Sequence, residues 1–229
     1  MRIFFLIIWR CRLLRILPGV MLFLGAGCAY TRMAMKDDIQ GKQYFRPANF
    51  KGEAQLPAEV RRVLLLPVCG GTIVPPETAE TLEEVFATEL QKQLRFEVVR
   101  LSRTECQQHF GAPEFSSTAE LPHDFLATLG REFAADAVLF VDLTSYQAYR
   151  PLTMGVRAKL ATVEQTRLLW TFDEIFSLSD PLVGNSVRHF YGAADPSGIP
   201  SDAANGALQS PSKFAAYVAA ATFNTLPPR

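Results

Sequence analysis

The sequence predicts an α/β fold: a β-α-β-α-β-β-β mixed sheet with helices packed on it, plus a C-terminal helix. Three observations carry this expectation. The runs RVLLLPV (62–68) and AVLFVDL (137–143) are continuously apolar, the mark of strands buried on both faces. Between them lie stretches with apolar residues every three or four positions, as helices packed on a sheet require. The two runs that follow 137–143 are joined by connections long enough only for hairpins. With 229 residues, 48% apolar and 20% charged, the chain suits one well-packed domain with tails.

The first strand, 62–68, is bounded by Cys69-Gly70-Gly71. Pro75-Pro76-Glu77-Thr78 opens a helix over 78–94: prolines suit a first turn, Thr78 can cap, and Glu77, Glu80, Glu83 and Glu84 favour the positive end of the dipole. Leu82, Phe86, Leu90 and Leu94, with Val85 beside them, give that helix an apolar face. FEVVRL (96–101) is the second strand, reached by a right-handed crossover and so parallel to the first. The polar stretch 107–120 reads as a short helix and a loop. Pro122 starts a further helix with Phe125, Leu129 and Phe133 in register, leading into the third strand.

Residues 153–166 and 168–178 complete an antiparallel meander, with Met154, Val156, Ala158, Leu160 and Thr162 alternating along the first. Trp170, Phe172 and Phe176 share one face of the last strand and read as core. Asp180-Pro181 ends the sheet, and 192–206, rich in Gly, Pro, Ser, Asp and Asn, reads as a loop. Ser210-Pro211-Ser212 begins a helix over 213–226, whose Phe214, Tyr217, Val218, Ala221 and Leu226 either dock on the domain or meet a partner.

The N-terminus carries an address. Arg2, Arg10, Arg12 and Arg15 precede an uncharged run of about a dozen residues, 16–27, too short to cross the hydrocarbon core, which takes ~20. A basic segment, a short apolar run and small closing residues make a secretory signal over 1–27. Leu24-Gly25-Ala26-Gly27-Cys28 resembles the bacterial lipobox, in which the signal peptidase cuts just before the cysteine. Its Leu stands four positions before Cys28 rather than the commoner three. The resemblance implies a lipidated Cys28 as the first mature residue. The alternatives are ordinary signal cleavage with an unmodified Cys28, and an uncleaved anchor.

Two or more acyl chains, with each buried methylene worth roughly 0.8 kcal/mol, anchor a protein stably. Ala29 follows the cysteine; enterobacterial lipoproteins kept at the inner membrane have Asp there, so by analogy the expected location is the outer membrane, facing the periplasm. Without residues 1–27 the chain has 19 basic and 23 acidic residues, a net charge of −4. That balance gives no electrostatic case for nucleic acid. Residues 28–59 read as a lipidated tether, with Lys36, Asp37, Asp38, Gly41, Pro47, Gly52 and Pro57 and no sustained period. Tyr44, Phe45 and Phe50 are unusual for a linker and are expected either to pack on the domain or to bind a partner. The domain itself is expected over 60–180, with 181–229 holding a loop and the last helix.

Candidates for chemistry are few. His109, His123 and His189 have no helical pair spacing that would suit a metal, and no phosphate-cradling loop follows Cys69-Gly70-Gly71, so no cofactor is expected. Cys106 and His109 are three apart and could share a helix face, the ingredients of an activated thiol, but no glycine-framed nucleophile or orienting residue supports it. Asp142 is either a perturbed acid or a carboxylate satisfied by a neighbouring turn. Cys69 and Cys106 follow parallel neighbours, so they either form a disulfide or remain two separate thiols. No enzymatic activity is expected.

The order of elements, with the phrases RVLLLPV, FEVVRLSRTE (96–105), LGREFAADAVLFVDL (129–143) and AKLATVEQTRLLWTFDEIFSL (158–178), resembles the α/β domain shared by the curli-secretion lipoprotein CsgG, the penicillin-binding-protein activator LpoB and the N-terminal domain of TolB. The resemblance covers about 120 residues and includes no catalytic signature. It implies an envelope protein that binds other proteins, as an adaptor or assembly module. The alternative is an oligomeric subunit, built from copies of this chain, in an outer-membrane secretion or transport complex. The curli member makes its pore from long amphipathic hairpins, and both hairpins here are short.

Overall fold

The computed structural model describes residues 43–192 and 206–229. The signal, the Leu24-Gly25-Ala26-Gly27 cleavage stretch, Cys28, tether residues 28–42 and loop residues 193–205 lie outside the described residues. The described strands are β1 (Phe50–Gly52), β2 (Arg62–Leu65), β3 (Glu97–Arg100), β4 (Ala137–Gln147), β5 (Thr153–Thr162) and β6 (Leu168–Ser177). The helices are α1 (Pro76–Gln91), α2 (Arg103–Phe110), α3 (Phe125–Phe133), α4 (Pro181–Gly192) and α5 (Pro211–Phe223). The strands form one mixed sheet in the order β1-β6-β5-β4-β2-β3, the α/β architecture expected.

β2 lies between its parallel neighbours: Val63 faces Val98 of β3 on one side and Ala137 of β4 on the other. β4, β5 and β6 form the antiparallel meander, with a bulge in β4 between Leu143 and Ser145. One sheet face packs under α1, α4 and α5. There Trp170, Phe172 and Phe176 form a buried aromatic row, and Phe86 of α1 meets Phe223 of α5 edge to face at 5.9 Å. Among the described residues, α2 and α3 cover the other face only over β3, β2 and the first half of β4. Leu64, Leu66, Val138 and Phe140 there pack on Phe125, Leu129 and Cys106.

Several elements depart from expectation for local reasons. α1 begins ahead of Thr78, because Pro76 supplies a helical φ and needs no N–H partner, and Pro75 stands at the cap without a side-chain hydrogen bond. The helix ends at Gln91, so Leu94 leaves the apolar stripe with φ 52° and is 89% exposed. α5 starts at Pro211 behind Ser210, whose hydroxyl accepts from the Lys213 N–H, and it docks on the domain through Phe214, Tyr217 and Val218. Leu226 lies past its end but is still buried.

Two larger differences concern the flanks. The start of the 181–229 segment is helical: Asp180 Oδ1 accepts from the Leu182 N–H at 2.8 Å, Pro181 takes the first helical position, and Val183 and Val187 bury one face of α4. Residues 43–59, expected as tether, pack on the domain. Phe45 sits against Phe176 at 5.3 Å, its N–H donates to Ser186 Oγ at 2.9 Å, and the Tyr44 ring lies tilted against His189 at 4.7 Å. β1 then extends the sheet, Phe50 facing Phe172 and Gly52 facing Trp170, while Leu56 and Val60 are buried. Of the two expectations for these aromatics, Tyr44 and Phe45 follow the first, packing on the domain; Phe50 is 45% exposed.

Candidate functional site

In open α/β sheets, ligands bind outside the C-terminal ends of parallel strands, at the point where consecutive connections leave in opposite directions. Here that point is the end of β2, since β3 is laid on one side of it and β4 on the other. The chain continues past β2 as Leu66 to Cys69, with the Cys69 N–H donating to Val141 O and the Leu143 N–H to Cys69 O. It then turns through Gly71, whose φ of 52° is the left-handed conformation glycine adopts without strain.

This crevice is occupied by the protein's own side chains. Glu114, carried back by the loop between α2 and α3, accepts from the Gly71 N–H at 2.9 Å and from the Cys69 thiol at 3.5 Å. Arg103, at the start of α2, pairs with Glu114 and donates through Nη2 to Val68 O at 2.6 Å. Its Nε lies 3.4 Å from Glu83 Oε2, and the same carboxylate accepts from the Val68 N–H at 3.3 Å. Arg100 closes the rim, 2.7 Å from Glu84 and 3.8 Å from Glu83. One central guanidinium is thus held between two carboxylates, each of which also takes a backbone N–H.

The two acids differ electrostatically. Burial pushes the Glu83 carboxyl up, and Arg103, the Val68 N–H and Arg100 only partly counter this, so it stays above the ordinary range. At Glu114 burial acts in the same direction, but the hydrogen bonds from Arg103 and Gly71 outweigh it and hold the carboxyl below its usual value.

Asp142 is a satisfied carboxylate. It is 5% exposed and accepts from the Ser117 hydroxyl at 2.6 Å, the Ser117 N–H at 3.0 Å and the Ser116 hydroxyl at 3.3 Å. Lys159 Nζ donates to Ser117 O at 2.7 Å. These bonds pin the loop bearing Glu114 to the sheet.

The Cys69–Cys106 pairing that the sequence left open is not formed; both are free thiols. The strand neighbourhood is as expected, but Cys106 turns into the α2–α3 layer while Cys69 faces Glu114. Burial, with Glu114 and Asp142 adding to it, pushes the Cys69 thiol up to about 12, and burial pushes Cys106 up to about 11. Both shifts run opposite to the activation a nucleophilic thiolate needs. His109 shares α2 with Cys106 but pairs through Nδ1 with Glu132 at 2.9 Å.

Glu83, Arg103 and Glu114 were not singled out as a site by the sequence, where Glu83 reads only as one of four acids near a helix start. The signal that could have found them is an acid flanking the Leu82–Phe86 stripe, turned toward the end of a predicted parallel strand. No helix among the described residues is long and apolar enough to cross a membrane.

No protein-family model matches the chain, and no curated protein does. Among solved structures, the chain is similar to the PelC dodecamer subunit from Paraburkholderia phytofirmans, at 14% identity over 58% of this chain and 87% of that one, TM-score 0.38. It is also similar to lipoprotein GNA1162 from Neisseria meningitidis, at 17% identity over 51% and 79%, TM-score 0.38. A third is the LpoB C-terminal domain from Salmonella enterica, at 18% identity over 49% and 80%, TM-score 0.31.

Proposed function

We propose that this protein is a lipid-anchored lipoprotein of the bacterial outer membrane, facing the periplasm, whose domain binds another envelope protein through the uncovered half of its sheet. The observation that carries the binding reading is that half-face. Along β5 and β6, opposite the α1–α4–α5 layer, Thr153, Arg157, Thr171 and Asp173 are partly exposed. Ile175 among them is 56% exposed, and Arg157 pairs with Asp173 at 2.7 Å. An apolar side chain framed by polar partners suits the centre and rim of a protein contact. The domain is proposed to act without chemistry of its own: Glu114 and Arg103 fill the crevice, and neither described thiol is activated.

The anchor reading rests on Leu24 to Cys28. Because the chain is already docked at Gln43, only fourteen residues, 29–42, separate it from Cys28. At ~3.3–3.6 Å per extended residue the domain then lies within about 50 Å of the membrane. Cys28→Ala is expected to abolish acyl labelling and leave the uncleaved precursor; surviving label would sink the anchor. A photo-cross-linker at position 175 in cells is expected to capture a protein that one at the exposed Glu77 of α1 does not. Equal or absent adducts at the two sites would count against the surface.

A second reading is favoured by the sheet edges. Among the described residues β1 and β3 each pair on one side only, as edge-to-edge assembly of copies requires. Mass photometry of detergent-extracted protein separates the two, a multiple of the monomer mass supporting the oligomeric subunit.

A further inference from the structure

We propose that the cleft between the β4–β5 turn and α4 binds the phosphate of an anionic phospholipid headgroup. The cleft, of about 450 Å³, falls within the range of small-ligand sites. Its lining is apolar at Pro151, Leu178, Pro181 and Leu208, and Arg150 and Arg188 line it as well. Among the described residues neither arginine pairs with a carboxylate. Arg188 Nη1 donates to Asn185 Oδ1 at 3.3 Å. The acid nearest in sequence to the lining, Asp180, spends its Oδ1 on the Leu182 N–H at the start of α4. Two guanidiniums that have no carboxylate partner among the described residues, beside an apolar lining, match an anionic head attached to hydrocarbon; a small free anion would leave the apolar lining unused.

Two further observations place this cleft toward a membrane. Asn185, which lines it, also contacts Gln43 O through Nδ2 at 3.5 Å, so the cleft adjoins the point where the chain arrives from Cys28. Tyr149, next to Arg150 at the tip of the turn, is 84% exposed, and an amphipathic aromatic beside an arginine is what a lipid–water boundary accommodates. This placement rests on the lipid-anchored reading above; the cleft's chemistry does not.

The test uses the full chain purified in an uncharged detergent, with native mass spectrometry reading the binding of dihexanoyl phosphatidylglycerol, dihexanoyl phosphatidylcholine and inorganic phosphate. Phosphatidylglycerol is expected to bind at one per chain and in preference to the other two. Arg150→Gln with Arg188→Gln should weaken it roughly thirtyfold with an unchanged thermal midpoint. Equal binding of phosphatidylcholine, phosphate as tight as the lipid, or an undiminished double variant would each overturn the proposal. Intact mass reports acylation of Cys28 separately: an unmodified Cys28 with selective lipid binding removes the anchor and keeps the cleft, and the reverse result removes the cleft alone.

Discussion

Replacing Glu114 by Gln tests the reading of the crevice, because it keeps the side chain's shape and removes its charge. In the folded protein this carboxylate accepts from Arg103, the Gly71 N–H and the Cys69 thiol. The Glu114 and Arg103 side chains are only 20% and 15% exposed. Breaking a wholly buried pair costs about 3–5 kcal/mol. Here the residual exposure and the second carboxylate, Glu83, discount that to about 2 kcal/mol, or roughly 6 °C in melting temperature for a domain of this size. Glu114 is held below its ordinary value, so its stabilisation is complete above the unfolded-state value near 4.5 and is lost as pH falls through the lower, folded-state one. Thermal melts followed by circular dichroism at pH 7 and below pH 4 should therefore show the wild-type advantage shrinking with acid. A variant as stable as wild type at pH 7, or a difference indifferent to pH, would refute the assignment.

Glu83→Gln should behave in the opposite sense. Its folded-state carboxyl is raised, so its contribution is full in acid and lost as pH rises through the folded-state value; the variant's stability relative to wild type, read from urea midpoints, should improve from pH 4 to pH 7. Phe86→Ala, which empties the 0%-exposed contact with Phe223, should cost about 3–5 kcal/mol in urea unfolding. Cys69 and Cys106, raised to about 12 and about 11, should alkylate slowly with iodoacetamide at pH 7.5 and fast only in denaturant, as intact mass would show.

Much of the framework was legible because it is local. The runs at β2 and β4 are apolar on both faces and read as buried strands without further context, and the Leu82–Phe86–Leu90 spacing marks the buried side of α1. β1 was not legible: Phe50-Lys51-Gly52 carries no period of its own, and its pairing is chosen by β6 more than a hundred residues later. In the sequence Asp180-Pro181 marks the end of the sheet, yet the same pair is a cap followed by a first-turn proline, and α4 begins there. The crevice stayed hidden because Glu83, Arg103 and Glu114 come from three separate segments. A chain with 23 acidic residues offers no local reason to prefer these two.

The Glu114 loop also sets a threshold for anything else that would occupy the end of β2. A carboxylate on the same chain competes as an intramolecular ligand, at an effective concentration of the order of millimolar or above, and it arrives with Asp142 already fastening its loop to the sheet. A passing metabolite would have to displace that resident group and also supply a partner for Arg103. The crevice that such a sheet normally offers to solutes is thereby spent on closing the fold, and the binding role proposed above falls to the outer faces of the domain.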